Sequence, residues 1–178
     1  MSVGSVGVGH VCWSVRVSHA PHADLPEPLL RLATFNVNGI RACTRRGFRT
    51  WLDSRSPDVV AIQEMRCPPQ EVPEEAFHGY HLSHHPGTIP GRNGVAIVSR
   101  VAPVAVRLGT GSREFDHEGR YLEADLDLPG LPLTVGSLYL PKGGTPHEDE
   151  ISRARYERKL RFCAPFARYL TAARLRAA

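Results

Sequence analysis

Residues 58–64 read Asp-Val-Val-Ala-Ile-Gln-Glu, and the unbroken apolar run Val59–Ile62 inside them constrains the fold more than any other feature of the chain. A half-exposed strand would alternate, and a surface helix would show a polar face. A short continuous apolar run bounded by polar residues is the mark of a strand covered on both faces. Glu64 follows that run directly. A carboxylate emerging from a buried strand is costly unless it pairs with a partner or binds a cation.

The neighbouring segments fit one sheet. LRLATFN, from residue 30, alternates and ends at Asn38-Gly39, which predicts a strand and then a turn. Arg46 to Arg55 places Phe48, Trp51 and Leu52 on one helical face and stops before Pro57. Further strands are expected at 81–84, 95–98, 104–107, 121–126 and 133–138, with Pro129-Gly130 forming a hairpin turn between the last two. From about Asp149 a helix is expected, with Tyr156, Leu160, Cys163, Ala167 and Leu170 as its apolar stripe. Pro165 predicts a kink or break near 161–165. The order β-α-β, several strands, then a long helix gives an α/β fold, a mixed β-sheet with helices on one face.

Residues 1–28 read as a tail. Gly, Ser, Val and His alternate there without strand or helix logic, and prolines follow, so disorder is expected. A start codon assigned too far upstream would produce such a segment. The 178 residues carry 22 Lys and Arg against 18 Asp and Glu, a bias that permits a polyanionic partner without demanding one. Eight of the basic residues lie beyond Ile151, against the single acid Glu157. This suits a solvated helix face or a phosphate-facing surface. No two cysteines are spaced as Cys-x-x-Cys, so zinc and redox pairs are not indicated. No apolar run is long enough to span a membrane, and no secretory leader is visible, so a cytoplasmic protein with no membrane partner is expected. No obligate protein partner is evident.

Four segments place polar groups where apolar strands end. In Thr34–Gly39, Asn36 and Asn38 should share a face by period-two alternation. They suit a carboxylate, a metal-bound water or a phosphate oxygen, and equally a strand-end turn. In Ile62–Arg66, Glu64 suits Mg²⁺, which is often held by one carboxylate and water, or else a pairing with a nearby Arg. Gly91–Ile97 contains Arg92 and Asn93. Ser137–Gly144 holds Tyr139 at a strand end, either as a site residue or as a core aromatic, and then the basic turn Pro141-Lys142-Gly143-Gly144, whose amides could bind an anion.

In order, FNVNGIRA, DVVAIQEMR, GRNGVAIVSR, EFDHEGRYLEADL and VGSLYLPKGG resemble the exodeoxyribonuclease III / AP-endonuclease branch of the endonuclease/exonuclease/phosphatase superfamily, over residues 31–178. The resemblance implies half of a four-layer α/β sandwich, with one sheet from each half of the chain and the second half missing. It implies a Mg²⁺- (or Mn²⁺-) dependent phosphodiesterase of base-excision repair, a 3′→5′ exonuclease and AP endonuclease. Its partner would be double-stranded DNA with abasic sites or 3′ ends. By the same resemblance Asn36 and Tyr139 are catalytic, Glu64 with Asn36 is at the metal, and Arg66 stands where relatives carry Lys. Asn38, Arg41, Arg45, Arg46, Arg92, Asn93, Arg120 and Lys142 fall in segments facing DNA.

The family's GDxN and SDH motifs, which supply the water-orienting and later acid groups, do not occur in this sequence. Truncation before them is expected, with the inner apolar face of the sheet left uncovered. Loss of a general base commonly costs about 10²–10⁴ in rate. The isolated chain is therefore expected to be inactive, either as a fragment of such an enzyme or as a non-catalytic DNA-binding module.

Overall fold

A computed structural model describes residues 2–5, 10–16, 29–128 and 131–176. The strands are β1 (Ser2–Ser5), β2 (His10–Arg16), β3 (Leu29–Asn36), β4 (Val59–Gln63), β5 (His81–His85), β6 (Val95–Ser99), β7 (Pro103–Leu108), β8 (Tyr121–Leu128) and β9 (Leu131–Leu138). The helices are α1 (Ile40–Arg45), α2 (Phe48–Arg55) and α3 (Glu150–Arg176).

The apolar run becomes β4 and sits inside a six-stranded mixed sheet of order β1-β2-β3-β4-β6-β5. It pairs parallel with β3 and antiparallel with β6. One face of this sheet carries Phe35, Val60, Ile62 and Val98, packed against Ile40 of α1 and Phe48 and Leu52 of α2. Phe35, Phe48 and Trp51 meet edge to face and stacked, with centroids 4.7–5.6 Å apart. The other face presents Val59, Val95 and Ile97 to Leu122, Ala124, Leu126 and Leu128 of β8. Strand β8 is the middle of a second, antiparallel sheet, β7-β8-β9.

Every strand expected from residue 30 onward is present, with β3, β4, β5 and β6 in the mixed sheet that carries α1 and α2 on one face and β7, β8 and β9 in the second sheet. Four features differ from expectation. The inner face is not left bare, because the β7-β8-β9 sheet of the same chain covers it over β4 and β6. The helix expected over Arg46–Arg55 is α2, but a short unexpected helix, α1, precedes it, parted from it by Gly47 at φ 95°. The segment expected to be disordered contains β1 and β2, and β2 pairs antiparallel along β3 from Leu29↔Arg16 to Phe35↔His10. The Pro129-Gly130 turn lies outside the described residues, although β8 and β9 pair through Leu128↔Leu131 on either side of it.

The fourth difference concerns α3. It runs unbroken past Pro165. Aromatic anchors hold it on both sides of the proline: Phe162 packs on Phe115, and Phe166 and Tyr169 pack on Tyr121. The expected stripe is largely exposed, with Leu160 at 51% and Leu170 at 45%, whereas Phe162 is at 3%. Aromatic area, not aliphatic spacing, chose the buried face. Between α3 and the outer face of the second sheet lies a cleft of about 1190 Å³, lined by Arg107, Tyr121, Glu123, Asp125 and Phe166. None of the candidate site residues lines it.

Candidate active site at the strand tips

The ends of β3 and β4 and the loop before β6 are zipped together by backbone bonds. Val37 N donates to Gln63 O (3.0 Å), Gly39 N to Glu64 O (2.8 Å), and Ile40 N to Met65 O (3.0 Å). Met65 N donates to Gly94 O (3.0 Å) and Arg66 N to Asn93 O (2.9 Å). Three of the four candidate segments thus form one continuous rim. The fourth joins through the sheet interface, where Ser137 Oγ donates to Ile62 O at 2.8 Å. That bond seats β9 on β4 two residues before Tyr139.

The rim is built from an uncommon backbone. Asn38, Glu64, Arg66 and Asn93 all have positive φ, at 47°, 57°, 48° and 53°. Asn adopts this region at modest cost, but Glu and Arg do so rarely. Such residues cluster where surrounding structure over-determines them. Here the zipped bonds do so, and they turn the Glu64 side chain out of the strand's alternation.

The Glu64 side chain is only 12% exposed. Its Oε1 accepts from Asn36 Nδ2 at 2.7 Å, and its Oε2 accepts from Arg66. Of the two readings of Glu64, the pairing with a nearby Arg is present, beside the contact with Asn36. Tyr139 is close enough to Glu64 to feel its carboxylate. Burial first, then the charge and hydrogen bonding of Glu64, push the Tyr139 phenol above the usual range, while Arg120 and Arg66 pull against them. The phenol is thus a proton donor at neutral pH, aimed at the carboxylate that Asn36 also holds.

Asn36 and Asn38 do not share a strand face, because β3 ends at Asn36. Instead Asn38 N donates to Asn36 Oδ1 at 3.1 Å, so a local turn fixes the Asn36 carboxamide with its NH₂ toward Glu64. Lys142 is exposed, but Gly144 after it packs against the backbone of Ser152, where a Cβ would fall 2.1 Å from Ser152 O. Thr145 N donates to Ser152 Oγ at 2.7 Å, so this turn seats the start of α3.

A model of the Endonuclease/Exonuclease/phosphatase family matches residues 33–178, which include all of these segments. The chain belongs to that family. Among its relatives are recombination repair protein 1 of Drosophila melanogaster, 31% identical over 72% of this chain and 19% of that protein, and exodeoxyribonuclease III of Haemophilus influenzae, 29% identical over 79% of this chain and 51% of that protein. An AP endonuclease structure from Archaeoglobus fulgidus superposes with a TM-score of 0.64 and 33% identity, covering 79% of this chain and 51% of the other. The chain spans about half the length of these relatives or less.

The basic residues of this family member fall into two sets. Arg45, Arg46 and Arg92 are exposed, and Arg41 is exposed but paired with Glu71. Arg120 is different, being 8% exposed with Nε donating to Glu118 and NH1 reaching Tyr139 O at 3.3 Å. Asn93 donates to Glu118 O at 3.1 Å, so it ties two loops together. Glu118 and Ser137 carry these connections and were not singled out from sequence. The one signal for Glu118 in the sequence is an acid two residues before an Arg.

Proposed function

We propose that this chain supplies the metal- and phosphate-gripping part of a divalent-metal-dependent DNA phosphodiesterase acting at abasic sites or 3′ ends of duplex DNA. The observation that carries the reading is the meeting of Glu64, Asn36 and Tyr139 across three strand ends. Among the described residues there is no group of three or more His, Cys, Asp and Glu. One carboxylate, held in place by the Asn36 amide N–H, is nonetheless a hard-oxygen donor that fits Mg²⁺ or Mn²⁺, which keep several waters and take the rest from substrate phosphate. Glu64 would hold the ion with Asn36 orienting its carboxylate, and Arg66 would yield Glu64 Oε2 to it. A bound divalent ion supplies charge stabilisation at phosphorus. Tyr139, protonated, donates to a phosphate oxygen, and Arg45, Arg46 and Arg92 engage neighbouring phosphates without reading sequence.

The resemblance to repair nucleases, and the names of the relatives, support DNA as the substrate. The test is binding and cleavage of a duplex carrying one tetrahydrofuran abasic site, with Mg²⁺, at low and high salt. The reading predicts tighter binding with Mg²⁺ than with EDTA, lost on Glu64→Gln, and weakening steeply with salt. Cleavage at the abasic site would extend the proposal to full catalysis. Salt-dependent binding indifferent to Mg²⁺ and to Glu64 would instead favour a non-catalytic DNA-binding module.

A further inference from the structure

Glu118 sits in the Asp116–Glu118 turn, 8% exposed, between two guanidinium groups. Its Oε2 accepts from Arg120 Nε and its Oε1 from Arg158 of α3. Arg120 in turn lies over the Tyr139 ring, 5.4 Å from its centroid, and donates to Tyr139 O at 3.3 Å. Tyr139 N closes the loop by donating to Arg120 O at 2.7 Å. The turn itself cannot drift. Gly119, at φ 65°, packs on the neighbouring loop so closely that a Cβ would fall 2.5 Å from Gly87 N, and Asn93 ties Glu118 O to the rim.

We infer that Glu118 is a positioning residue: it clamps Arg120 against Tyr139 and couples the placement of that phenol to the seat of α3 through Arg158. The physical reason is the cost of a lone buried charge. A buried Arg120 needs a carboxylate, and a carboxylate with two oxygens serves best when both are engaged. Arg158 therefore fixes the orientation of Glu118, Glu118 that of Arg120, and Arg120 covers one face of the Tyr139 ring. Two peptide strands and one helix are joined by three side chains. The functional meaning rests on the reading of Tyr139 as a phosphate-facing donor, but the coupling itself does not.

The test uses the full chain labelled with ¹³C in its five tyrosine rings, with the Tyr139 signal assigned by Tyr139→Phe. Arg158→Met, which removes a guanidinium one-third exposed, should shift the Tyr139 ring signal and leave Tyr80, on the far side of the six-stranded sheet, in place. Arg158→Lys keeps a cation against Glu118 and should keep Tyr139 near its original position. Arg168→Met, an exposed change on the same helix, should shift nothing. Glu118→Gln should move Tyr139 further than Arg158→Met does. If Glu118→Gln does not fold, the Arg158 pair carries the test. A Tyr139 signal unmoved by Arg158→Met in a folded chain overturns the proposal. So does an equal shift in Arg158→Lys, or movement of Tyr80 along with Tyr139, which would report general loosening. Binding of the abasic duplex, measured on the same samples, separates the two ideas. A coupled Tyr139 in a chain that binds no duplex overturns the functional reading alone.

Discussion

Asn36 donates its Nδ2–H to Glu64 Oε1 at 2.7 Å, joining residues 28 positions apart in the chain. The parallel pairing of β3 with β4, which sets Asn36 opposite Gln63, brings the two within reach. The bond leaves Asn36 Oδ1 facing Asn38 N, so rotation of the amide would cost both contacts.

Asn36→Ala should therefore weaken divalent-ion binding without unfolding the chain. Groups that orient a metal-binding carboxylate typically contribute about 10–100-fold to affinity. Mn²⁺ titration followed by electron paramagnetic resonance measures this directly. An unchanged affinity would remove Asn36 from the metal reading.

Tyr139→Phe deletes a donor that remains protonated at neutral pH, because burial and Glu64 both raise its titration. Loss of one hydrogen bond to a charged phosphate should weaken abasic-duplex binding by about 10–100-fold, the equivalent of about 1.5–3 kcal/mol. The difference should stay constant between pH 6 and 8, where the phenol does not ionise. Fluorescence anisotropy across that range checks both parts.

His84 should contribute to the acid limb of stability. Burial pushes its imidazole from the ordinary value near 6.5 down to about 4, and His85 adds to the shift. The unfolded chain therefore binds a proton between pH 6.5 and 4 that the folded chain refuses. Stability should be complete above pH 6.5 and fall as pH drops toward 4, by up to about 3 kcal/mol, at about 1.4 kcal/mol per unit. Both ring nitrogens lack partners, so His84→Leu should keep the fold and flatten that slope in urea melts from pH 4 to 7.5. An identical slope in the variant would assign it to other groups.

Gly119→Ala should destabilise the chain. The substitution meets both a positive φ of 65° and a backbone atom at 2.5 Å. The cost should exceed about 1 kcal/mol, and for a chain of this size each kcal/mol lowers Tm by about 2–4 °C. A thermal melt within one degree of the parent would show that the two loops can part cheaply.

The buried face of α3 is open to a direct comparison. Phe162→Ala should cost about 3–5 kcal/mol, whereas Leu160→Ala should stay within about 0.5 kcal/mol. Reversed values in chemical denaturation would restore the aliphatic stripe that spacing alone suggests.

What the sequence determined by itself is the set of strands and the polar groups at their tips. The run Val59–Ile62 needs cover on both faces, and any fold that satisfies it leaves Glu64 at the strand's end. Gly and Pro breaks set off β7, β8 and β9, because chain breakers act locally and are legible in a single sequence. The tertiary structure decided what no local rule contains. Whether Phe162 or Leu160 faces inward depended on where Phe115 and Tyr121 stood, and these come from the loop before β8 and from β8 itself. Glu118 gained its part only when a turn and α3 met across 40 residues. The positive φ of Glu64 arose because bonds from Gly39 and to Gly94, on two other segments, hold that turn, and neither neighbour is near it in sequence. Local pattern sets which backbone forms; long-range pairing sets which side chains face one another, because only folding brings distant donors and acceptors within bonding distance.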